Sequence, residues 1–321
     1  MHSRNARNAA LGLLVLLAAA PADTETKQGF ALDGARVPAA EIVDGGPGRD
    51  GIKSIDSPVF ADRDAVDWVA APNPVLGVAV GETAHAYPVH VMDYHQIVND
   101  EVGGTPVVVS YDPLAGVPRA FDARVDGRRL RFGVSGLLYN HNFLLYDRET
   151  QSLWLQFTGE AISGPLAGRK LAPLRIRQER YSTWLSRHPK ARVLERPFPK
   201  QIDYRYTPFK AYIIQDRTLF PVKARDERFH AKEMVCGVVV DGRPHAYLGS
   251  LVTAAGGEID DEVGGRKLHV AYDTEEAVFM WDVPEDVEVV EAYWLAWKAF
   301  HPDTSVWSEP APEPAPESAG Q

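Results

Sequence analysis

Cysteine is nearly missing from this sequence, which has Cys236 as its only thiol among 321 residues. One thiol cannot form a disulfide within the chain. Cys236 lies in an apolar run typical of a buried strand, and a buried cysteine usually behaves as a small, inert hydrophobic side chain. We therefore predict a structural role for Cys236 and expect no thiolate-bound metal.

Long apolar segments are also missing, except near the N-terminus. The run at residues 9–20 is too short to span a bilayer, which takes about 20 residues. It follows Arg4 and Arg7 and precedes Ala20-Pro21-Ala22, a small-x-small sequence. This layout predicts a secretory signal peptide over residues 1–22, with a retained membrane anchor as the alternative. We expect a periplasmic or secreted protein with no transmembrane span after the signal is removed.

Positive charge is in deficit, because 34 basic residues face 44 acidic ones and the net charge is −10. Removal of residues 1–22, which hold two arginines and no acid, changes −10 to −12. An acidic chain without a basic stripe repels phosphate backbones, so nucleic acid is excluded as a partner. The remaining partner classes are an unidentified small molecule and a protein of the cell envelope.

Several sequence elements occur twice, in the same order and at a nearly constant offset. The matching pairs are Gly77–Val80 with Gly237–Val240, His85–Tyr87 with His245–Tyr247, Asp100–Gly104 with Asp261–Gly265, Tyr111–Asp112 with Tyr272–Asp273, and Trp184–Pro189 with Trp297–Pro302. His95 has no counterpart, since the matching positions hold Ala255 and Gly256. The repeat therefore predicts two related units and singles out His95.

The repeat sets the expected domain boundaries. A first unit over 57–205 carries an insert at 123–173, and a second unit covers 206–308. Residues 23–56 form an N-terminal extension. The tail at 309–321 is rich in Pro, Glu and Ala, which predicts disorder.

Strand patterns dominate, so the predicted fold class is mainly β (α+β). Short alternating or apolar runs end in turn residues, and Asp126-Gly127 is a strong hairpin signal. Helical periodicity is convincing only near 181–187 and 293–300. We expect two related β-rich lobes from an internal duplication, each closed by a short helix, with barrel and sandwich architectures both open.

Zinc helices, phosphate-binding loops, nucleophile elbows and paired cysteines are all missing. Chemistry-bearing residues instead cluster between 93 and 160. His95, Asp112 and His141 form a candidate site for a divalent metal ion, because imidazole and carboxylate suit such ions. Glu160 is the candidate catalytic general base. The candidate binding residues are Tyr94, Tyr139, Asn140, Trp154 and Gln156.

Each candidate also has a structural interpretation. Asp112 has a twin in Asp273, which favours a turn role. His141 lies between two asparagines, typical of an exposed turn, and His95 could hydrogen-bond within the core. Most of the aromatic candidates are expected in the core because they lie in strands.

The chain resembles proteins of the family known as domain of unknown function 3179. The resemblance runs from about Asp50 to Pro302. It is carried by Asp50–Pro58, Ala86–Pro88 with His95 and Asn99–Asp100, Phe132–Leu138, Tyr146–Thr150 with Ser152, Trp154 and Gln156, Gly159–Ala161 and Gly164–Leu166. The family has no established activity.

This chain differs from typical members of the family at the positions of a cysteine-containing element. Relatives carry a Cys-Pro-x-Cys element, some with selenocysteine, that implies redox or soft-metal chemistry. Here Asp112 and Ala115 stand at the two sulfur positions, and His141 replaces a small polar residue. The leading hypothesis is a divergent, exported member kept for binding or scaffolding. The alternative is a metal-dependent envelope enzyme with a His/Asp/His site in the first lobe.

Overall fold

The computed structural model describes residues 25–308. The predicted signal peptide over residues 1–22 and the predicted disordered tail over residues 309–321 both lie outside the described residues. Strands contain 42% of the described residues and helices 13%, which confirms a mainly β fold. No helix in the described range is both long and apolar enough to cross a membrane.

The first half of the described chain alternates short strands with two helices. Its elements are β1 Thr26–Lys27, β2 Phe30–Ala31, β3 Val43–Asp44, β4 Phe60–Asp62, β5 Pro74–Val80, β6 Thr83–Pro88, α1 Val89–His95, β7 Ile97–Val102, β8 Thr105–Asp112, β9 Val117–Asp122, β10 Arg124–Val125, β11 Arg128–Arg129, β12 Phe132–Tyr139, β13 Asn142–Asp147, β14 Leu153–Leu155, β15 Ala161–Ser163, β16 Ala172–Leu174, β17 Ile176–Arg180, α2 Tyr181–Arg187 and β18 Arg192–Leu194. Single-turn 3₁₀ helices lie at Ala39–Glu41 and Arg63–Ala65.

The second half begins with a long, largely irregular segment. Its elements are α3 Lys210–Ile213, β19 Met234–Val240, β20 Arg243–Leu248, α4 Gly249–Ala254, β21 Glu258–Val263, β22 Arg266–Asp273, β23 Val278–Asp282, β24 Glu288–Tyr293, α5 Trp294–Phe300 and β25 Ser305–Val306. The two helices predicted from periodicity are confirmed as α2 and α5. Sequence reasoning missed α1 and α4, although α1 has seven residues, the same length as α2 and α5.

Five sheets of three or more strands form a propeller-like arrangement in the described chain. Their strand orders are β17-β5-β6-β18-β4, β16-β9-β8-β7, β15-β14-β13-β12-β3, β24-β19-β20-β25 and β21-β22-β23. The expected division into two lobes is therefore replaced by a set of five sheets. The reason is that the insert, expected to elaborate one lobe, builds a sheet of its own from β12 to β15 together with β3.

The repeated segments have the same strand pairing. Gly77 pairs with Ala86 as Gly237 pairs with Ala246. β18 adds to β6 in parallel, and β25 adds to β20 in the same way. Each repeated segment thus contributes two of the five sheets. In the first copy the closing helix α2 follows β17, the strand paired with β5, and in the second copy α5 follows β24, the strand paired with β19.

Shared contacts hold the two copies in the same shape. His85 Nδ1 lies 2.7 Å from Asp100 Oδ2, and the Tyr87 hydroxyl donates to the same oxygen at 2.6 Å. In the second copy the Tyr247 hydroxyl donates to Asp261 at 3.0 Å. These repeated contacts account for two of the sequence matches as parts of the scaffold.

The predicted hairpin at Asp126-Gly127 is confirmed. β10 and β11 pair on either side of it. Asp126 has φ of 50° and Gly127 has φ of 75°, the left-handed backbone that a two-residue hairpin turn requires. The hairpin forms its own two-stranded ribbon beside the larger sheets.

Candidate functional site

The three candidate metal ligands are all buried, and each is held by its own set of protein partners. His95, at the end of α1, is 2% exposed. Its Nδ1 donates to the Lys53 carbonyl at 2.8 Å, which leaves Nε2 to accept from the Tyr204 hydroxyl at 2.8 Å. Burial lowers the pKa of His95, so the neutral ring that these two bonds require is favoured.

His141 lies at the turn between β12 and β13. Asn140 and His141 both have positive φ, 51° and 64°, as a tight hairpin requires. The turn expected from the sequence is present, but His141 is fully buried because the segment carrying Tyr212 and Phe220 covers it. Its Nε2 lies 2.8 Å from the Tyr212 hydroxyl, and burial lowers its pKa.

Asp112 ends β8 and is 1% exposed. Its Oδ1 accepts from the backbone N–H of Leu114 at 2.9 Å and of Ala115 at 3.3 Å, which closes the turn. Its Oδ2 accepts from Asn142 Nδ2 at 2.8 Å and from Phe143 N at 2.9 Å. Burial raises the pKa of Asp112 to about 6 against the opposing effect of these donors. Its carboxylate therefore joins the β8 turn to β13.

No group of three or more His, Cys, Asp or Glu side chains is close enough to hold a metal ion within residues 25–308. His95, Asp112 and His141 thus do not converge on one site in this structure. Each imidazole has both nitrogens engaged, and a metal ligand needs a free lone pair.

The candidate base and binding residues are scattered. Glu160 lies at the surface in an ion pair with Arg36 at 2.8 Å. Gln156 is buried and joins Asn142 to Ser110 and Val117. Trp154 is buried and donates to Asp147, as expected of a core aromatic.

The other three candidate binding residues also serve local contacts. Tyr139 packs against Phe300 with ring centroids 6.4 Å apart. Asn140 accepts from the backbone N–H of Lys223. The Tyr94 hydroxyl donates to the Tyr206 carbonyl. None of the five candidate binding residues lines the cavity described next.

A cavity of about 540 Å³ lies between the two repeat copies. Equivalent positions of the copies line it in three pairs: Pro74 and Met234, His90 and Ser250, and Tyr111 and Tyr272, while Val89 lines it from the first copy alone. We call it the inter-copy cavity. Further lining comes from Asp93, Gln178, Tyr293, Ala277 and Glu276, and from Thr207, Ile213, His230, Lys232 and Glu233 of the irregular segment.

Several polar groups in this cavity are buried. Asp93, on α1, is 6% exposed, and burial raises its pKa to about 7 while a hydrogen bond with Thr207 opposes the shift. Gln178, on β17, is 7% exposed, and its Oε1 is buried without a hydrogen-bond partner among residues 25–308. Burial also raises the pKa of Tyr111 and Tyr293. Buried polar groups without partners are uncommon and call for an explanation.

A wider groove of about 750 Å³ lies along the β21–β22–β23 sheet. Its charged side chains are exposed, and His269 there is already paired with Asp260 at 2.9 Å. Since exposed ion pairs of this kind are ordinary surface features, the groove offers less than the inter-copy cavity.

Sequence reasoning missed the cavity, although the repeat contained a signal for it. His95 was singled out because the second copy lacks it, and the same test applies to His90 and Asp93. Their counterparts are Ser250 and Thr253. Comparing the copies along all of α1 and α4 would have identified these two residues as well.

One family model matches the chain: that of the family described as protein of unknown function (DUF3179), over residues 49–283. No curated protein and no solved structure matches the chain.

Proposed function

Because the chain belongs to the DUF3179 family, which has no known function, we propose from its own geometry that it is an exported protein that binds a small molecule in the inter-copy cavity. One observation carries the proposal: both repeat copies contribute side chains to a single cavity that contains buried polar groups, one of which, Gln178 Oε1, has no hydrogen-bond partner in the described chain. Ligand sites are usually concave and largely preformed, with a few polar groups that fix orientation. At about 540 Å³ the cavity falls within their usual range of about 300–1,000 Å³.

A binding role agrees with the condition of the turn at Asp112 and Ala115. The resemblance to the family implies that typical relatives have the two cysteines of their Cys-Pro-x-Cys element at these two positions. Here Ala115 is fully buried, and all the acceptor contacts of Asp112 described above are made within the protein. A saturated, buried turn supports loss of the family's redox or soft-metal chemistry rather than its replacement by a new reaction.

The symmetry of the lining supports an internal duplication as the origin of the site. Duplication of a two-sheet unit produces two equivalent walls, and a cavity between them can then diverge on one side only. The first copy has His90 and Asp93 in the lining, whereas the equivalent residues of the second copy are Ser250 and Thr253, as expected if one wall has diverged. We accordingly keep 57–205 and 206–308 as the two repeat units and 123–173 as the insert.

Export rests on the N-terminal sequence. A basic start, an apolar run and a small-x-small site together form the pattern of a cleaved secretory signal. We place the mature protein in the periplasm or outside the cell, where a binding protein would meet small molecules from the surroundings.

The test of binding is a thermal-shift screen of the mature chain, residues 23–321, against small metabolites grouped as cations, anions and neutral compounds. A ligand that binds only the folded state stabilises it by RT ln(1 + L/Kd) at free ligand concentration L, so the unfolding temperature rises with the affinity and the concentration of the ligand. Ser250→Trp places a large ring in the cavity lining. Ala254→Trp is the matched control, because residue 254 lies on the same helix, is exposed and does not line the cavity.

We expect at least one compound to raise the unfolding temperature of the wild type and of Ala254→Trp while leaving that of Ser250→Trp unchanged. If no compound distinguishes the two tryptophan variants, the cavity is not a binding site and the proposal fails.

A further inference from the structure

The lining of the inter-copy cavity is rich in hydrogen-bond acceptors that carry or can carry negative charge. Asp93, Glu233 and Glu276 are its three carboxylates. Glu233 accepts one hydrogen bond at the cavity, from the backbone N–H of Ser250 at 2.9 Å. Carboxylates that have few donors of their own favour a ligand that supplies donors and positive charge.

Gln178 supplies a second, independent indication. Its Oε1 is buried with no partner in the described chain, while the side chain lines the cavity. A carbonyl oxygen only accepts hydrogen bonds, so the missing partner is a donor. Leaving such an atom unpaired destabilises the folded protein, and a ligand with N–H groups would supply the missing donor.

Asp93 lies at the end of the cavity nearest α1. The groups that influence it are the Thr207 side chain, which hydrogen-bonds to it, and the phenols of Tyr94, Tyr111 and Tyr293. None of these is a cation. A buried carboxylate without a cationic neighbour is either protonated or neutralised by something that binds.

The cations of the lining are already engaged. Lys232 Nζ donates to the carbonyl oxygens of Tyr212 at 2.6 Å and Arg217 at 2.8 Å, and contacts that of Gln215 as well. His230 lies 3.4 Å from Asp216. Burial lowers the pKa of His90, which favours its neutral form. None of these three groups is therefore a ready counter-ion for Asp93.

From these contacts we propose that the ligand is a small organic cation that donates N–H bonds, a protonated amine or a guanidinium compound, held by Asp93 and Gln178. This inference rests on the proposed binding function and names its ligand class. The ammonium or guanidinium group donates to the carboxylate and to the unpaired amide oxygen, and the tyrosine rings enclose it.

The experiment is isothermal titration calorimetry of the mature chain at pH 8 with five probes. Two are donors of the proposed class, 1,4-diaminobutane and agmatine. Tetramethylammonium carries the charge without N–H groups, 1,4-butanediol has neither, and succinate carries the opposite charge. We expect binding of the first two and clearly weaker or no binding of the other three.

Variants assign the contacts. Asp93→Asn and Gln178→Leu should each weaken binding of the amines about 10- to 100-fold, the loss that accompanies removal of a charge-assisted hydrogen bond. Glu82→Gln removes an exposed carboxylate outside the cavity and should leave the affinity unchanged. Unfolding temperatures will separate lost binding from lost folding, since Asp93→Asn removes a buried charge and should not destabilise the fold.

The pH profile gives a readout that a purely structural role would not produce. A cation binds the ionised form of Asp93, so affinity should rise with pH up to about 7 and then level off. The rise should be close to tenfold per pH unit at its steepest and should be missing in Asp93→Asn.

The results of the two experiments distinguish a wrong ligand class from a wrong binding function. If succinate or butanediol binds in a manner abolished by Ser250→Trp and the amines do not, the cation inference is wrong and the binding function stands. The cation inference is also wrong, and the binding function stands, if the metabolite screen finds only ligands of other classes and Ser250→Trp abolishes their binding. If no compound in either experiment responds to Ser250→Trp, both proposals are contradicted.

Discussion

The ring of Trp184 lies directly on the backbone of Gly77. A Cβ atom added at residue 77 would come within 2.3 Å of Trp184 Cε3. The second copy repeats this relationship, since a Cβ at Gly237 would come within 2.2 Å of Trp297 Cζ3. In both copies the closing helix thus packs against the sheet through a tryptophan that fits only against glycine.

Gly77→Ala should therefore lower the free energy of unfolding by about 1–3 kcal/mol, the usual cost of inserting a methyl group into a packed core. Urea denaturation of the variant and the wild type measures the change. The matched test is Gly77→Ala combined with Trp184→Leu: if steric overlap is the cause, the double variant should lose less than the sum of the two single losses. Additive losses would contradict this explanation.

Asp112→Asn should destabilise the protein although the two side chains have the same shape. Asp112 accepts four hydrogen bonds, two at each oxygen. An amide nitrogen cannot accept, so whichever position it takes leaves two donors unpaired. We expect a loss of about 2–5 kcal/mol from two unsatisfied buried groups.

Glu82→Gln is the control for Asp112→Asn, since it makes the same chemical change at an exposed position. Both are compared by urea denaturation at pH 7.5. Equal stability of Asp112→Asn and the wild type would show that the carboxylate is not needed for the fold. Asp112 would then again be a candidate for a functional role.

The sequence predicted those features that local patterns determine. Turn chemistry at Asp126-Gly127, the apolar periodicity of α2 and α5, and the repeat itself were all readable. The five-sheet arrangement was not, because β3 and β15 are only two and three residues long and acquire their identity from pairing partners far along the chain. The clustering of Asp112 with Asn142 and Gln156 depends on the same long-range pairing.

Export has a direct test in the mass of the exported chain. If residues 1–22 form a cleaved signal, protein recovered from the periplasm or medium should begin at Asp23. Ala22→Arg places a large charged side chain at the cleavage site and should leave the precursor uncut. Intact-mass spectrometry distinguishes the two. An exported chain that still begins at Met1 would support the retained-anchor alternative.

The metal-enzyme alternative also has a direct test. Because both ring nitrogens of His95 and His141 are engaged by protein groups, we expect protein purified without chelator to hold far less than one zinc, manganese or iron ion per chain. Elemental analysis of the wild type beside His95→Ala/His141→Ala decides the matter. Near-stoichiometric metal that disappears in the double variant would establish a site at these residues.

Glu291 gives the clearest prediction for pH. This residue of β24 is 3% exposed and lies opposite Cys236 in the sheet. Trp281 Nε1 donates to Oε1 at 3.1 Å, while Oε2 is buried without a hydrogen-bond partner in the part of the chain that the structure describes. Burial raises the pKa of Glu291 from 4.5 to about 8, so the folded protein holds this proton at neutral pH.

A carboxyl group whose pKa is higher in the folded than in the unfolded state makes the protein less stable as pH rises between the two values. Glu291 should therefore reduce the free energy of unfolding by up to about 1.4 kcal/mol per pH unit between pH 4.5 and 8, with no further change above. Glu291→Gln keeps the acceptor for Trp281 and removes the titration. Urea denaturation at pH 5, 6.5 and 8 should show the variant gaining on the wild type as pH rises, and a constant difference between the two would show that Glu291 ionises normally in the folded protein.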